Sequence, residues 1–69
     1  MSVLGDRIYS ARIAANMRQE DLARRIGYSR TSVVNMEAGR HETSLATIAK
    51  IAKVLKVHPA WLCGWRARK

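Results

Sequence analysis

The sequence predicts an all-α fold, a compact bundle of five short helices, and three features of the chain support this. Apolar residues recur at spacings of four, three and four along Leu4, Ile8, Ala11 and Ala15, which places them on one helical face. The only proline is Pro59, so no such helix breaker interrupts the chain before it. Because glycine, serine and asparagine separate the apolar stripes, short loops are expected between the helices.

Helices 1 and 2 have identifiable ends. Helix 1 is predicted over about residues 3–15, with Ser2 as its N-cap and Asn16 as its end. Helix 2 is predicted to begin at Gln19, because the acidic side chains that follow it suit the positive end of a helix dipole. Gly27 is expected to end helix 2 in left-handed backbone. The predicted buried edge of helix 2 consists of Leu22, Ala23 and Ile26.

Helix 3 follows helix 2 after a very short turn. Ser29 is its expected N-cap, the helix is predicted over about residues 30–38, and Gly39 closes it. Two helices joined by a turn of three to four residues that contains a glycine, here Gly27, form a helix-turn-helix unit. Helices 2 and 3 are therefore predicted to form such a unit.

The two faces of helix 3 are predicted to differ. Ala23 on helix 2 is small enough for close approach, and Val33 and Met36 are expected to fill the angle between the helices. The opposite face is a continuous strip that carries no acidic residue. Its outward residues are predicted to be Arg30, Thr31, Val34 and Asn35.

Helices 4 and 5 complete the predicted bundle. Thr43 or Ser44 is the expected cap of helix 4, whose lysines lie mostly outside its apolar stripe. Helix 5 is predicted to start at His58 and Pro59, because proline is tolerated at the first helical position, and to end at Gly64. The inward residues predicted for these two helices are Leu45, Ile48, Ile51, Ala52, Leu55, Trp61 and Leu62.

Composition favours an anionic partner. Thirteen Lys and Arg residues oppose five Asp and Glu residues, which gives a net charge of +8 in 69 residues. Nucleic acid is the first candidate for that partner, and an acidic membrane surface is the second. The single cysteine excludes an internal disulfide and suggests a reducing, intracellular location. No apolar run approaches the roughly 20 residues that a transmembrane helix needs.

Metal sites and catalytic sites are not expected. His41, His58 and Cys63 lack the clustered spacing of zinc ligands, so no metal is predicted. No Ser-His-acid or paired-carboxylate arrangement is present in the sequence, so no enzyme is predicted. Residues 1–64 are predicted to form one helix-turn-helix domain, and residues 65–69 a basic C-terminal tail.

The segment "RQEDLARRIGYSRTSVVNMEAG" resembles the helix-turn-helix of the lambda-repressor-like, or Cro/Xre, DNA-binding domains. The pattern of that family is carried in register by five positions, namely Gln19, Ala23, Gly27, Val33 and Met36. The resemblance extends to Arg12, to Glu37 at the end of helix 3, and to the closing segment "VHPAWLCG". It implies a DNA-binding bundle in which Arg12 and Glu37 form a partly buried pair that fixes the reading helix.

The resemblance also implies roles at DNA. Helix 3 would enter the major groove and bring Arg30, Thr31, Val34 and Asn35 to base edges. Arg30 suits guanine or a phosphate, Asn35 suits adenine or a phosphate, and Val34 suits a thymine methyl group or is a lone surface valine. The implied phosphate contacts are Arg18, Gln19, Arg40, His41 and Thr43, of which Arg18 departs from the small polar cap that the family often has.

The implied partner is double-stranded DNA at an operator-like site, bound by a homodimer in a prokaryotic or phage-infected cytoplasm. No cofactor and no small-molecule substrate are expected. Helix 5 and the tail, with Trp61 and Trp65, are the candidate dimer interface. An alternative is the DNA-binding part of a larger two-domain repressor, or of an antitoxin whose main task is to bind a protein partner.

Overall fold

The fold is a bundle of five α helices. The structure, a computed structural model, describes residues 2–40 and 42–64 and contains no strand within that part of the chain. The all-α prediction is therefore confirmed for the described residues. The helices, in chain order, are α1 (Val3–Ala14), α2 (Gln19–Ile26), α3 (Arg30–Glu37), α4 (Leu45–Leu55) and α5 (Pro59–Leu62).

Three serines cap the helices, because each hydroxyl oxygen accepts a hydrogen bond from a backbone N–H that has no partner inside the helix. Ser2 Oγ accepts from the N–H of Gly5 at 3.0 Å. Ser29 Oγ accepts from the N–H of Ser32 at 3.2 Å and so begins α3. Of the two candidates for the cap of α4, Ser44 is the cap, since its Oγ accepts from the N–H of Thr47 at 3.2 Å.

One apolar core lies between the helices. α2 packs on α3, while α1 and α4 contact this pair from other sides and α5 closes the end of the bundle against α1 and α4. The apolar stripes predicted from the sequence supply this core. Its largest fully buried side chains are Ile8, Leu22, Ile26, Val33, Met36, Ile51 and Leu62.

Three residues that were predicted to point inward are exposed. Ala15 lies beyond the end of α1, and Asn16 adopts left-handed backbone with φ of 58°, so the chain turns away from the core there. Leu45 is 80% exposed because it opens α4, one turn before the buried stripe begins at Ile48. Trp61 is 37% exposed, whereas its neighbour Leu62 takes the core position.

An arginine on α1 explains the position of Trp61. The guanidinium carbon of Arg7 lies 4.8 Å from the centroid of the Trp61 ring, a cation–π contact. Arg7 Nη1 also donates to the backbone oxygen of Trp61 at 2.6 Å. The indole therefore packs against a charged side chain at the surface.

Candidate nucleic-acid interface

The turn between α2 and α3 consists of three residues, Gly27, Tyr28 and Ser29. Gly27 has φ of 79° and ψ of 30°, a left-handed conformation that other residues adopt at a cost. The hydroxyl of Tyr28 hydrogen-bonds to Thr47 Oγ1 at 2.6 Å and so ties the turn to α4. Since Thr47 is only 4% exposed, this hydrogen bond attaches the exposed turn to a buried residue of α4.

The rotation of α3 about its axis decides which side chains reach solvent. Val33 is 0% exposed and Met36 is 2% exposed, so this face packs between α2 and α1. Arg30 and Thr31 are exposed, and Val34 and Asn35 are half-buried beside them. The two adjacent valines thus differ, because on a helix neighbouring side chains point about 100° apart.

A network of buried polar side chains, here called the buried network, joins the first three helices. Arg12 on α1 forms a two-point pair with Glu37 at the end of α3, with Nε–Oε2 at 2.6 Å and Nη2–Oε1 at 3.1 Å. Their side chains are 8% and 7% exposed. Gln19, the first residue of α2, donates its Nε2 to Glu37 Oε1 at 3.1 Å.

The third nitrogen of the Arg12 guanidinium also has a partner, since Nη1 donates to the backbone oxygen of Met17 at 2.9 Å. The described part of the chain contains no buried side-chain nitrogen or oxygen without a hydrogen-bond partner. Burial of the pair is tolerable because every nitrogen of the guanidinium and both oxygens of the carboxylate have a hydrogen-bond partner. The buried network thereby fixes the end of α3 relative to α1 and to the start of α2.

A second set of charges runs over the surface from α2 to α3 and is here called the surface chain. Asp21 pairs with Arg24 at 3.3 Å and with Arg18 at 3.6 Å. Glu20 pairs with Arg18 and with Arg30, each at 3.8 Å. The surface chain therefore consists of Arg24, Asp21, Arg18, Glu20 and Arg30 in that order.

Asp21 also completes the start of α2. The backbone N–H of Arg18 donates to Asp21 Oδ2 at 3.0 Å, as in the second half of a capping box. This hydrogen bond, aided by the guanidinium groups of Arg18 and Arg24, lowers the pKa of Asp21 below its ordinary value of 3.8. Arg18 itself supplies no cap, because a guanidinium has no acceptor.

The loop after α3 continues this surface. Arg40 is exposed, and its Nη1 donates to Asn35 Oδ1 at 3.2 Å. Thr43 is half-buried in the same loop. His41, a predicted phosphate contact, and the tail residues 65–69, including Trp65, lie outside the described residues. Hydrogen bonds and ion pairs thus connect the outward face of α3 with the start of α2 and with the loop after α3.

Comparison with known proteins identifies the family. A model of the helix-turn-helix (HTH) family matches residues 8–62. This chain belongs to the Cro/Xre-type HTH family. The match covers the HTH unit, the residues of the buried network and α4.

Two relatives are HTH-type transcriptional regulators. An uncharacterised HTH-type transcriptional regulator of Archaeoglobus fulgidus is 44% identical over 48 residues, which are 70% of this chain and 68% of that protein. A second such regulator, MJ0272 of Methanocaldococcus jannaschii, is 43% identical over 42 residues, which are 61% of this chain and 64% of that protein. The matched segments thus span about two thirds of the length of these relatives.

Solved HTH structures have the same fold. The restriction-modification controller protein C.AhdI from Aeromonas hydrophila superposes with a TM-score of 0.80 at 36% identity, over 86% of both chains. The hypothetical transcription factor NHTF from Neisseria gives 0.85 at 34% identity, over 90% of this chain and 71% of that one. The P22 c2 repressor, solved with a synthetic operator, gives 0.82 at 24% identity, over 90% of this chain and 94% of that one.

Two residues of this HTH protein make contacts at the site that are not predicted from the sequence. A Cβ added to Gly5 would lie 2.5 Å from the backbone oxygen of Glu37 and 2.7 Å from that of Met36, so this glycine lets α1 lie directly against the end of α3. Glu20 contacts Arg30 from the neighbouring helix. Both contacts join different helices, and periodicity within one helix does not report them.

An open groove of about 470 Å³ lies elsewhere on the described part of the HTH protein. It shares no residue with the α3 surface. Its lining residues are Ala11, Ala14, Ala15, Met17, Arg25, Val54, Leu55, Lys56 and Val57. Within residues 2–40 and 42–64, no cluster of three metal-binding side chains occurs, and every helix is too short or too polar to cross a bilayer.

Proposed function

We propose that this DNA-binding transcriptional regulator is a repressor that reads a specific double-stranded sequence with α3 in the major groove. One observation carries the proposal: α3 buries Val33 and Met36 while Arg30 and Thr31 stay exposed. A major groove about 12 Å wide admits an α helix whose outward face carries hydrogen-bonding groups. The buried network supports the proposal, because it holds this helix at a fixed angle.

The base contacts are proposed to come from Arg30, Thr31, Val34 and Asn35. Neither terminal nitrogen of Arg30 has a hydrogen-bond partner among the described residues, so both are free for O6 and N7 of a guanine. Asn35 has an amide nitrogen available for a base edge while its oxygen accepts from Arg40. The methyl groups of Val34 suit the C5-methyl of thymine.

The phosphate contacts are proposed to come from Arg18, Gln19, Arg40, His41 and Thr43. Arg18 and Gln19 stand at the start of α2, where free N–H groups and the positive end of the helix dipole favour an anion. Gln19 gives one amide hydrogen to Glu37 and keeps the other for a phosphate oxygen. Such contacts position the protein on the duplex without reading its sequence.

The wider proposal concerns assembly and location. One module of this size buries limited surface on DNA, so a homodimer on a two-fold-related operator is proposed, with α5 and the tail as its interface. The exposed Trp61 favours that surface. The protein acts by binding in the cytoplasm and not as an enzyme, and it represses by occupying or contacting a promoter region.

The two proposed roles can be separated by two substitutions. Duplexes bound by the wild-type chain are first selected from a random pool, and affinities are then measured by fluorescence anisotropy on selected and altered duplexes. Arg30→Ala is expected to erode the preference for the selected sequence, since a bidentate contact to guanine provides about 1–3 kcal/mol of discrimination. Gln19→Ala is expected to weaken binding to all duplexes alike.

Arg25→Ala is the matched control for the loss of one exposed arginine, since Arg25 lies on α2 but lines the groove away from α3. It is expected to preserve sequence preference. The logarithm of the binding constant should fall linearly with the logarithm of salt, by about 0.9 per neutralised phosphate. Equal affinity of the wild-type chain for every duplex would exclude the proposed function.

The oligomeric state has its own test. Sedimentation of the chain with and without a selected duplex is expected to give two copies per site. A single copy per site at saturation would reject the homodimer while leaving the role of α3 intact.

A further inference from the structure

Glu20 stands between two arginines that have different proposed tasks. Its Oε1 lies 3.8 Å from Nε of Arg30, a proposed base contact, and its Oε2 lies 3.8 Å from Nη1 of Arg18, a proposed phosphate contact. Each carboxylate oxygen thus faces a different guanidinium. The Glu20 side chain is 47% exposed, so it shares the surface that would face DNA.

The other two acidic residues of this region make hydrogen bonds that hold the fold, whereas the side chain of Glu20 contributes only its charge in the first turn of α2. Glu37 belongs to the buried network, and Asp21 accepts from the backbone N–H of Arg18 at the start of α2. Within the described residues the Glu20 side chain makes no hydrogen bond and forms only its two arginine pairs. An acidic side chain near phosphates opposes binding unless cations compensate it, and the cations that Glu20 contacts are Arg18 and Arg30.

The position of Glu20 beside Arg30 bears on which guanidinium nitrogens remain available to a base. The carboxylate oxygen Oε1 lies 3.8 Å from Nε of Arg30, and among the described residues neither Nη1 nor Nη2 of Arg30 donates a hydrogen bond. Those two nitrogens form the end of the guanidinium fork, which can donate to both acceptors of a guanine. Glu20 therefore restrains the arginine without occupying the donors that would read the base.

We propose that Glu20 is a positioning residue that sets the base specificity of Arg30. At a guanine, Arg30 can satisfy Glu20 and the base at the same time. At any other base, one terminal nitrogen of Arg30 has no acceptor on the base, or the arginine turns away to a phosphate. If it turns to a phosphate, the Glu20 carboxylate loses its partner and remains as an uncompensated negative charge beside the DNA backbone. Glu20 thus makes the binding free energy less favourable for duplexes that lack the guanine, so specificity arises partly from repulsion. The inference rests on the proposed function of α3.

The test compares Glu20→Gln, which removes the charge and keeps the shape, with the wild-type chain. Affinities are measured on a selected duplex and on one in which the base pair identified by Arg30→Ala is replaced. The ratio of the two affinities is expected to fall about two- to fivefold in Glu20→Gln, the scale of an exposed ion pair. The loss should come mainly from tighter binding to the altered duplex.

Two further variants isolate the mechanism. Glu42→Gln removes an equal charge from an exposed loop residue that makes none of the ion pairs described above, and it should leave the ratio unchanged. In a double-mutant cycle, Glu20→Gln should have no effect on the ratio when Arg30 is already alanine, because the two residues act as one unit. Because the ratio is measured on one protein sample, a small loss of folded protein does not alter it.

Three results would overturn the inference. These are an unchanged ratio in Glu20→Gln, an equal drop in Glu42→Gln, or a drop that persists in the Arg30→Ala background. In each of them the wild-type chain still prefers its selected sequence, so the proposed function survives. A wild-type chain without sequence preference would instead reject the proposed function together with this inference.

Discussion

The buried network and the surface chain use the same chemistry, arginine against carboxylate, in two different environments. The Arg12 and Glu37 side chains are 8% and 7% exposed, whereas Arg18 and Arg30 in the surface chain are 76% and 65% exposed. Breaking a buried pair strands a charge and costs about 3–5 kcal/mol, while an exposed pair contributes about 0–1 kcal/mol. The first set therefore holds the architecture, and the second can exchange its partners for phosphates and bases at little cost.

The largest expected effect comes from breaking the buried network. Arg12→Ala is expected to destabilise the protein by about 3–5 kcal/mol, because Glu37 is left as a buried charge. A domain of this size has a stability of roughly 3–5 kcal/mol, so urea titration should show little or no cooperative unfolding transition for this variant. Arg24→Ala, its control in the surface chain, is expected to cost less than about 1 kcal/mol. Equal losses in the free energy of unfolding for Arg12→Ala and Arg24→Ala would refute the contrast between the buried network and the surface chain.

The two adjacent valines of α3 show the same contrast between a buried and a more exposed position within one helix. Val33→Ala should cost about 1.5–3 kcal/mol, since Val33 is 0% exposed. Val34→Ala should cost less, because Val34 is half-buried, and it should alter the preference for thymine in DNA binding. Thermal unfolding and anisotropy on selected duplexes measure the two outcomes. The assignment of faces is wrong if Val34→Ala proves the more destabilising of the two.

A smaller loss is expected at the close approach that supports the buried network. Gly5→Ala would bring a Cβ to within 2.5 Å of a backbone oxygen of α3, so α1 must shift outward. A cost of about 1–3 kcal/mol follows, as for overpacking elsewhere in protein interiors. Ser10→Ala, on an exposed position of the same helix, should change stability little. An unchanged melting temperature for Gly5→Ala would mean that this contact is not tight.

The smallest expected effect is a pH dependence in the surface chain. The hydrogen bond from Arg18 lowers the pKa of Asp21, so the ionised form favours the folded state. Its contribution is fully present above the ordinary value of 3.8 and is lost as the pH falls through the lowered pKa of the folded protein. Wild type should therefore be more stable than Asp21→Asn near pH 7, and the difference should vanish in strong acid. Urea titrations at both pH values test this, and a difference independent of pH would contradict it.

Local signals in the sequence were sufficient to predict the helices and their first residues, while the ends of α1 and α3 lie one residue before the predicted ones. Ser2, Ser29 and Ser44 cap the helices they precede, and Gly27 adopts the left-handed backbone expected of it. Each of these features depends on residues within one helical turn of each other, so it can be predicted from residues that are adjacent in the sequence. The pairing of Arg12 with Glu37 was predicted from family resemblance, and the structure confirms it.

Contacts between different helices could not be predicted from the sequence. The apolar stripe on α4 predicted a buried Leu45, but this residue lies one turn before the part of α4 that packs on the core, and its side chain is exposed. Trp61 was predicted to point inward, and Arg7, 54 positions away in the sequence, holds it at the surface instead. The pair between Glu20 and Arg30 likewise depends on the angle between α2 and α3.

The sequence by itself determined the helical fold, the short turn with its glycine and the face of α3 that enters the core, because each follows from helical period and local backbone preference. The tertiary structure alone decided which acidic side chain meets which arginine and which of these pairs is sheltered from water. The reason is physical: burial and electrostatic strength depend on atoms contributed by other helices, and those atoms are adjacent in space but distant along the chain.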